Sequence, residues 1–120
     1  LNREKSIDEI TKNIQKIINN IKANRKYTKI YIESVYPINR NVFEEKNYSF
    51  NEKINNDIIK ELNNKIKILC KENKIQYIDV YNNLLDNDGN LKDIYTNEGL
   101  HLSDLGYFKV TTSLNKYINE

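Results

Sequence analysis

The stretch from Tyr95 to Tyr107, YTNEGLHLSDLGY, concentrates the chemistry this sequence has to offer. It holds the only histidine, His101, and two of the three glycines, Gly99 and Gly106. A neutral imidazole is the natural general base near neutral pH, because its ordinary pKa is about 6.5. Glu98 lies three residues before it. In a tight loop its carboxylate reaches the second ring nitrogen and fixes the tautomer, which is the base-and-orienter half of a nucleophile–base–acid triad. Residue types alone leave a second reading open, since a single histidine in a loop before a helix also serves as a surface or capping residue.

Other candidates carry a structural reading in place of a functional one or beside it. Asp86, Asp88 and Gly89 hint at a calcium loop, but with Gly89 at loop position 6 the first and twelfth positions fall on Leu84 and Tyr95, which are not suitable ligands. A turn is the expectation there. One cysteine, Cys70, with one histidine builds neither an intramolecular disulfide nor a structural zinc site, and Cys70 reads as a small core residue. Asp79, at a strand end, either touches the site or bonds loop amides. Ser34 reads as a strand-end residue and Ser103 as a helix cap. Tyr36 and Tyr107 either line a crevice or pack. Asn47-Tyr48-Ser49 is a glycosylation sequon, of a kind expected by chance in a chain with 21 Asn.

The elements that must position these residues follow from the apolar pattern. Ser6 to Asn24 carries Ile7, Ile10, Ile14, Ile17, Ile18 and Ile21 at helical spacing, with a Ser6-x-x-Glu9 capping box. Thr28 to Val35 is a β-rich strand that Pro37 ends. Asn39 to Phe50 has no period and reads as a loop. Asn51 to Asn73 resumes helical spacing at Ile54, Ile58, Leu62, Ile66 and Leu69. Ile75 to Val80 is a short strand, and Asn87 to Asn90 a turn. Ser103 to Ile118 is the last helix, with Leu105, Phe108 and Ile118 as its expected buried face. The order α-β-α-β-α predicts an α/β fold with right-handed crossovers and a parallel sheet. Two strands make a narrow sheet with exposed edges, as half of a doubly wound domain would.

Composition narrows the function classes. The chain has 120 residues, of which Leu, Ile, Val and Phe make up 35, so a packed core is expected. No apolar run approaches the roughly 20 residues that span a bilayer. Net charge is +2, with 19 basic and 17 acidic residues interspersed, whereas nucleic-acid binding usually gathers basic residues on one face. The Ile/Asn/Lys excess reads as nucleotide bias of the source genome. There is no Met, and the chain opens on Leu1, so a processed start or the edge of a fragment is expected.

The histidine block resembles the closing block of the SGNH/GDSL hydrolase family, D-G-x-H-x-x-x-x-G-Y. The resemblance extends upstream: Ser34-Val35-Tyr36-Pro37 is similar to the family's strand ending in a Ser-x-x-Pro turn, and Ile54 to Leu69, with Leu62-Asn63, to the helix that follows. Tyr77-Ile78-Asp79-Val80 is similar to its final strand, and Asn82 to Leu91 to the insertion before the histidine. The resemblance runs from about Thr28 to Ile118. It implies a three-layer α/β/α, flavodoxin-like fold, present here as its C-terminal α-β-α-β-α part, with residues 1–120 belonging to one domain.

It also implies a serine ester hydrolase, a GDSL-like lipase/acylhydrolase or carbohydrate acetylesterase that needs no metal and no cofactor. His101 matches the family's general base, and Glu98 stands where its supporting aspartate lies, one methylene longer. The G-D-S that carries the nucleophile and the G-x-N-D that completes the oxyanion hole occur nowhere in the sequence. By the family's order both belong immediately before Leu1. The implied substrates are acetylated carbohydrates or lipid esters, and the open sheet edge predicts self-association or pairing with an N-terminal half. A non-catalytic α/β binding or assembly module derived from this fold is the alternative.

Overall fold

A computed structural model describes residues 6–45 and 54–118. Helix α1 spans Ile7–Asn24, and the hydroxyl of Ser6 accepts from the Glu9 amide at 3.1 Å as its N-cap. Strand β1 spans Tyr31–Glu33 and helix α2 Arg40–Glu45. Helix α3, Asn56–Glu72, is capped by Asn55, which accepts from the Ile58 amide at 2.9 Å. Strand β2 is Gln76–Ile78, followed by 3-10 turns at Tyr81–Leu84 and Asp93–Tyr95 and by helix α4, Asp104–Ile118.

The two strands are parallel, with Tyr31 opposite Gln76, Ile32 opposite Tyr77 and Glu33 opposite Ile78. Successive strand residues face opposite sides, so each face of the sheet carries its own core, and a third apolar cluster of Ile38, Ile59 and Tyr81 lies beyond the strand ends. On one face Ile32, Ile75 and Tyr77 pack with Leu62, Ile66 and Cys70 of α3 and Ile7, Ile10 and Ile14 of α1. On the other, Tyr31 and Ile78 pack with Val80, Leu84, Leu91, Leu102 and Val110. The result is an α/β arrangement of helices on both faces of a small parallel sheet.

Three expectations are corrected. Both strands are three residues long, shorter than the β-rich segments around them. Part of the expected Asn39–Phe50 loop is helix α2, started by the Asn39 side chain, whose Oδ1 accepts from the Val42 amide at 3.2 Å. Residues 46–53, which include the sequon and the expected start of the second helix, lie outside the described residues, as does Leu1. Helix α4 does not bury Leu105, Phe108 and Ile118, which are 48%, 69% and 48% exposed; it buries Gly106, Val110 and Ser113. The reason is close approach. A Cβ on Gly106 would lie 2.5 Å from the Tyr95 carbonyl oxygen, so only a small residue lets α4 settle on the turn before it.

Asparagine side chains do part of the work of a sheet ladder. Asn63 of α3, buried, accepts from the Val35 N–H at 2.8 Å and donates to the Val35 C=O at 3.1 Å. Seven residues earlier on the same helix, Asn56 does the same to Ile38 at 2.9 Å in each direction. A carboxamide carries the same donor and acceptor as a peptide group, so each clamp satisfies backbone that has left the strand. Ser34 closes the strand ends. Its buried hydroxyl accepts from the Val80 and Tyr81 amides at 3.0 and 2.8 Å.

Candidate active site

The histidine loop joins the 3-10 turn Asp93–Tyr95 to α4, beyond the carboxyl end of β2, where parallel α/β folds open. Thr96 closes it. Its buried hydroxyl accepts from the Gly99 amide at 2.8 Å and donates to the His101 carbonyl at 2.6 Å, and Thr96 forms an isolated antiparallel bridge with Leu102. Ser103 anchors the far side, donating its hydroxyl to Ile94 O at 2.8 Å while accepting from the Gly106 amide at 3.2 Å as the cap of α4.

Inside this loop Glu98 serves His101 twice. One carboxylate oxygen, Oε1, accepts from the Leu100 amide at 3.0 Å and from the His101 amide. The other, Oε2, lies 3.0 Å from His101 Nδ1. An ionised carboxylate can only accept, so the proton of the neutral ring sits on Nδ1 and Nε2 keeps its lone pair. Partial burial pushes the Glu98 carboxyl up. The hydrogen bonds from the His101 amide, the His101 ring and the Leu100 amide outweigh that push and hold it below its ordinary value. The His101 side chain is 78% exposed and that of Glu98 26%, so the base is open while its partner is sheltered.

Glycine is required at position 99. Its φ is +96°, and a Cβ there would meet the Asn39 carbonyl oxygen at 2.3 Å and the Phe43 amide nitrogen at 2.9 Å. The loop therefore lies directly on the turn that starts α2, where the Asn39 amide also donates to Gly99 O at 2.8 Å.

The other candidates fall elsewhere. Asp79 accepts from the backbone and side-chain amides of Asn82 at 3.1 and 2.6 Å, so it bonds the loop that follows β2. Asp86 accepts from the Asp88 and Asn90 amides at 2.9 Å each, and Gly89 has φ +83°, which makes the acidic run a turn. Cys70 is buried among the apolar residues of α3, and burial pushes its thiol up. Tyr36 packs against the core around Ile78 and donates to Glu33; burial first, then Glu33, drive its phenol far above the ordinary value. Tyr107 is 57% exposed. Each serine among the described residues already has a structural partner: Ser6, Ser34 and Ser103 cap backbone amides, and Ser113 donates to Lys109 O at 3.0 Å and accepts from Asn83. Thr96 and Asn39 were not singled out in the sequence. Nothing in local spacing marks a hydroxyl that closes a loop or an amide that holds one from sixty residues away.

Comparison with known proteins places the chain in a family. Residues 1–108 match the family model of the GDSL-like lipase/acylhydrolase family. Among solved structures, a Streptococcus pneumonia protein described as a candidate platelet activating factor is 28% identical with a TM-score of 0.85, over 96% of this chain and 53% of that one. A candidate acylhydrolase from Bacteroides fragilis is 24% identical with a TM-score of 0.76, over 95% and 52% of the two chains. A GDSL-like lipase from Bacteroides thetaiotaomicron is 24% identical with a TM-score of 0.75, over 95% and 53%. The chain thus spans about half the length of each. No curated protein matches it significantly. The chain belongs to the GDSL-like lipase/acylhydrolase family.

Proposed function

We propose that residues 1–120 form the histidine-bearing half of a serine ester hydrolase domain, with His101 as general base and Glu98 as the carboxylate that orients it. The observation that carries this reading is the 3.0 Å contact between Glu98 Oε2 and His101 Nδ1, which leaves Nε2 as the proton acceptor on an exposed ring. The nucleophile is a serine supplied from outside these residues, since the described serines have structural partners and no G-D-S occurs in the sequence.

In the reaction, the serine oxygen bonds to the ester carbonyl carbon while Nε2 takes the hydroxyl proton. The tetrahedral intermediate collapses, the C–O bond to the alcohol breaks, and His101 returns the proton to that alcohol. Water then attacks the acyl carbon while Nε2 takes one of its protons; the second tetrahedral intermediate collapses, the C–O bond to the serine breaks, and His101 returns the proton to the serine oxygen as the acid leaves. Glu98 stays ionised throughout and stabilises the imidazolium formed at each step. The oxyanion donors come with the nucleophile. Acetylated carbohydrates and lipid esters are the substrate classes the family resemblance supports.

Hydrolysis of nitrophenyl acetate tests this. The isolated chain is expected to release nitrophenol no faster than free imidazole at equal concentration. A complete domain that adds a G-D-S-bearing half is expected to turn over, and His101→Ala to abolish that turnover. Robust turnover by the 120 residues alone, or activity of the complete domain that survives His101→Ala, overturns the reading.

A further inference from the structure

Asn39 is 3% exposed, and all of its polar groups are engaged. Its side-chain amide donates to Leu91 O at 2.9 Å and to Asp93 Oδ1 at 3.1 Å, while its Oδ1 accepts from the Val42 amide. Its backbone N–H donates to Gly99 O at 2.8 Å, and its carbonyl accepts from the Phe43 amide at 3.2 Å. One residue thus ties together the start of α2, the segment that leads into the histidine loop, and the loop itself. Gly99 sits so close on the Asn39 peptide that no side chain fits between them.

We propose that Asn39 is a positioning residue for His101, holding the seat on which Glu98 and the imidazole are brought into register. Glu98 and His101 flank Gly99 at one and two residues, so a shift of the Asn39 peptide moves carboxylate and ring together. The carboxamide suits the position because it donates and accepts at once. Ala does neither, and Asp accepts for Val42 but cannot donate to Leu91 O. The assignment rests on the reading of His101 as the base, yet the coupling itself is measured without turnover.

His101 is the only histidine, so a histidine-labelled sample gives a single imidazole whose ring-nitrogen shifts in heteronuclear NMR report its tautomer. In the unmodified chain the Nδ1–H form is expected to dominate. In Asn39→Ala and Asn39→Asp the ratio of Nδ1–H to Nε2–H is expected to fall about five-fold, the worth of one ordinary hydrogen bond, with the helical circular dichroism retained. Cys70→Ala, which opens the core on the opposite face of the sheet, is expected to leave the ratio unchanged. An unchanged ratio in folded Asn39→Asp overturns the proposal. So does the loss of folded structure in both Asn39 variants, because Asn39 is then a core residue with no particular hold on the histidine. Failure of the ester-hydrolase reading shows separately, as turnover that survives His101→Ala.

Discussion

Glu98 spends one oxygen on two backbone amides and the other on the imidazole, a division that a glutamine cannot reproduce. With its carbonyl toward the amides, Gln presents an N–H to the Nδ1–H; flipped, it leaves the amides unpaired. In the complete domain Glu98→Gln is therefore expected to lower kcat about a hundred-fold or more, with KM little changed. The same contacts set a pH dependence. The Glu98 carboxyl lies below its ordinary 4.5 in the folded chain, so the fold favours its ionised form. Its contribution to stability is present in full above the ordinary value and is lost as pH falls through the lowered one. Urea unfolding of the parent chain and Glu98→Gln between pH 3 and 7 is expected to show a stability gap that is flat at the neutral end and closes on acidification. A gap that widens toward acid contradicts the assignment. The Glu98–His101 pair was legible in the sequence because an i, i+3 spacing in a short glycine loop leaves its members few places to go. Thr96 was not, because its partners are backbone groups, which every residue has.

At the scale of elements, α1 and α3 could be read from the 3.6-residue recurrence of isoleucine and leucine, since each lays one stripe on the sheet. Helix α4 could not, because its contact face is chosen by closeness and not by hydrophobicity. Gly106 against Tyr95 and Ser113 against Asn83 leave the larger Leu105 and Phe108 turned away. Gly106→Ala is expected to cost about 1–3 kcal/mol through overpacking, read as a lower urea midpoint with the slope unchanged. The asparagines were harder still. Twenty-one of them look like compositional bias, and a carboxamide that imitates a peptide group is visible only once Val35 and Ile38 are seen to need partners. Asn63→Ala leaves the Val35 N–H and C=O unpaired beside the core and is expected to cost about 2–3 kcal/mol. Asn63→Asp, which restores only the acceptor, is expected to recover less than half of the loss.

For the molecule as a whole, the decisive feature is the outer edge of β1. The Ser34 amide bonds Ile78 O at 2.9 Å, so by alternation Ile32 and Ser34 direct their backbone groups to β2 while Tyr31 and Glu33 direct theirs away. The outer edge of β2 is blunted at one point, since the Gln76 side chain donates to the outward Tyr77 carbonyl at 2.7 Å. No such cover lies on Tyr31 or Glu33 among the described bonds, and an uncovered edge is a template for another strand. Exposed Ile17 and Ile68, at 59% and 57%, add apolar surface on α1 and α3. The isolated chain is accordingly expected to elute from size exclusion larger than its 14.3 kDa, and increasingly so as concentration rises. Tyr31→Pro tests the route, because it removes an outward N–H while sparing the bonds that Ile32 and Ser34 make to β2. That variant is expected to shift toward monomer. A parent chain that stays monomeric at high concentration, or a Tyr31→Pro variant that associates as strongly, shows that this edge recruits no strand, and the proposed pairing with a nucleophile-bearing half is then expected to run through the helices instead.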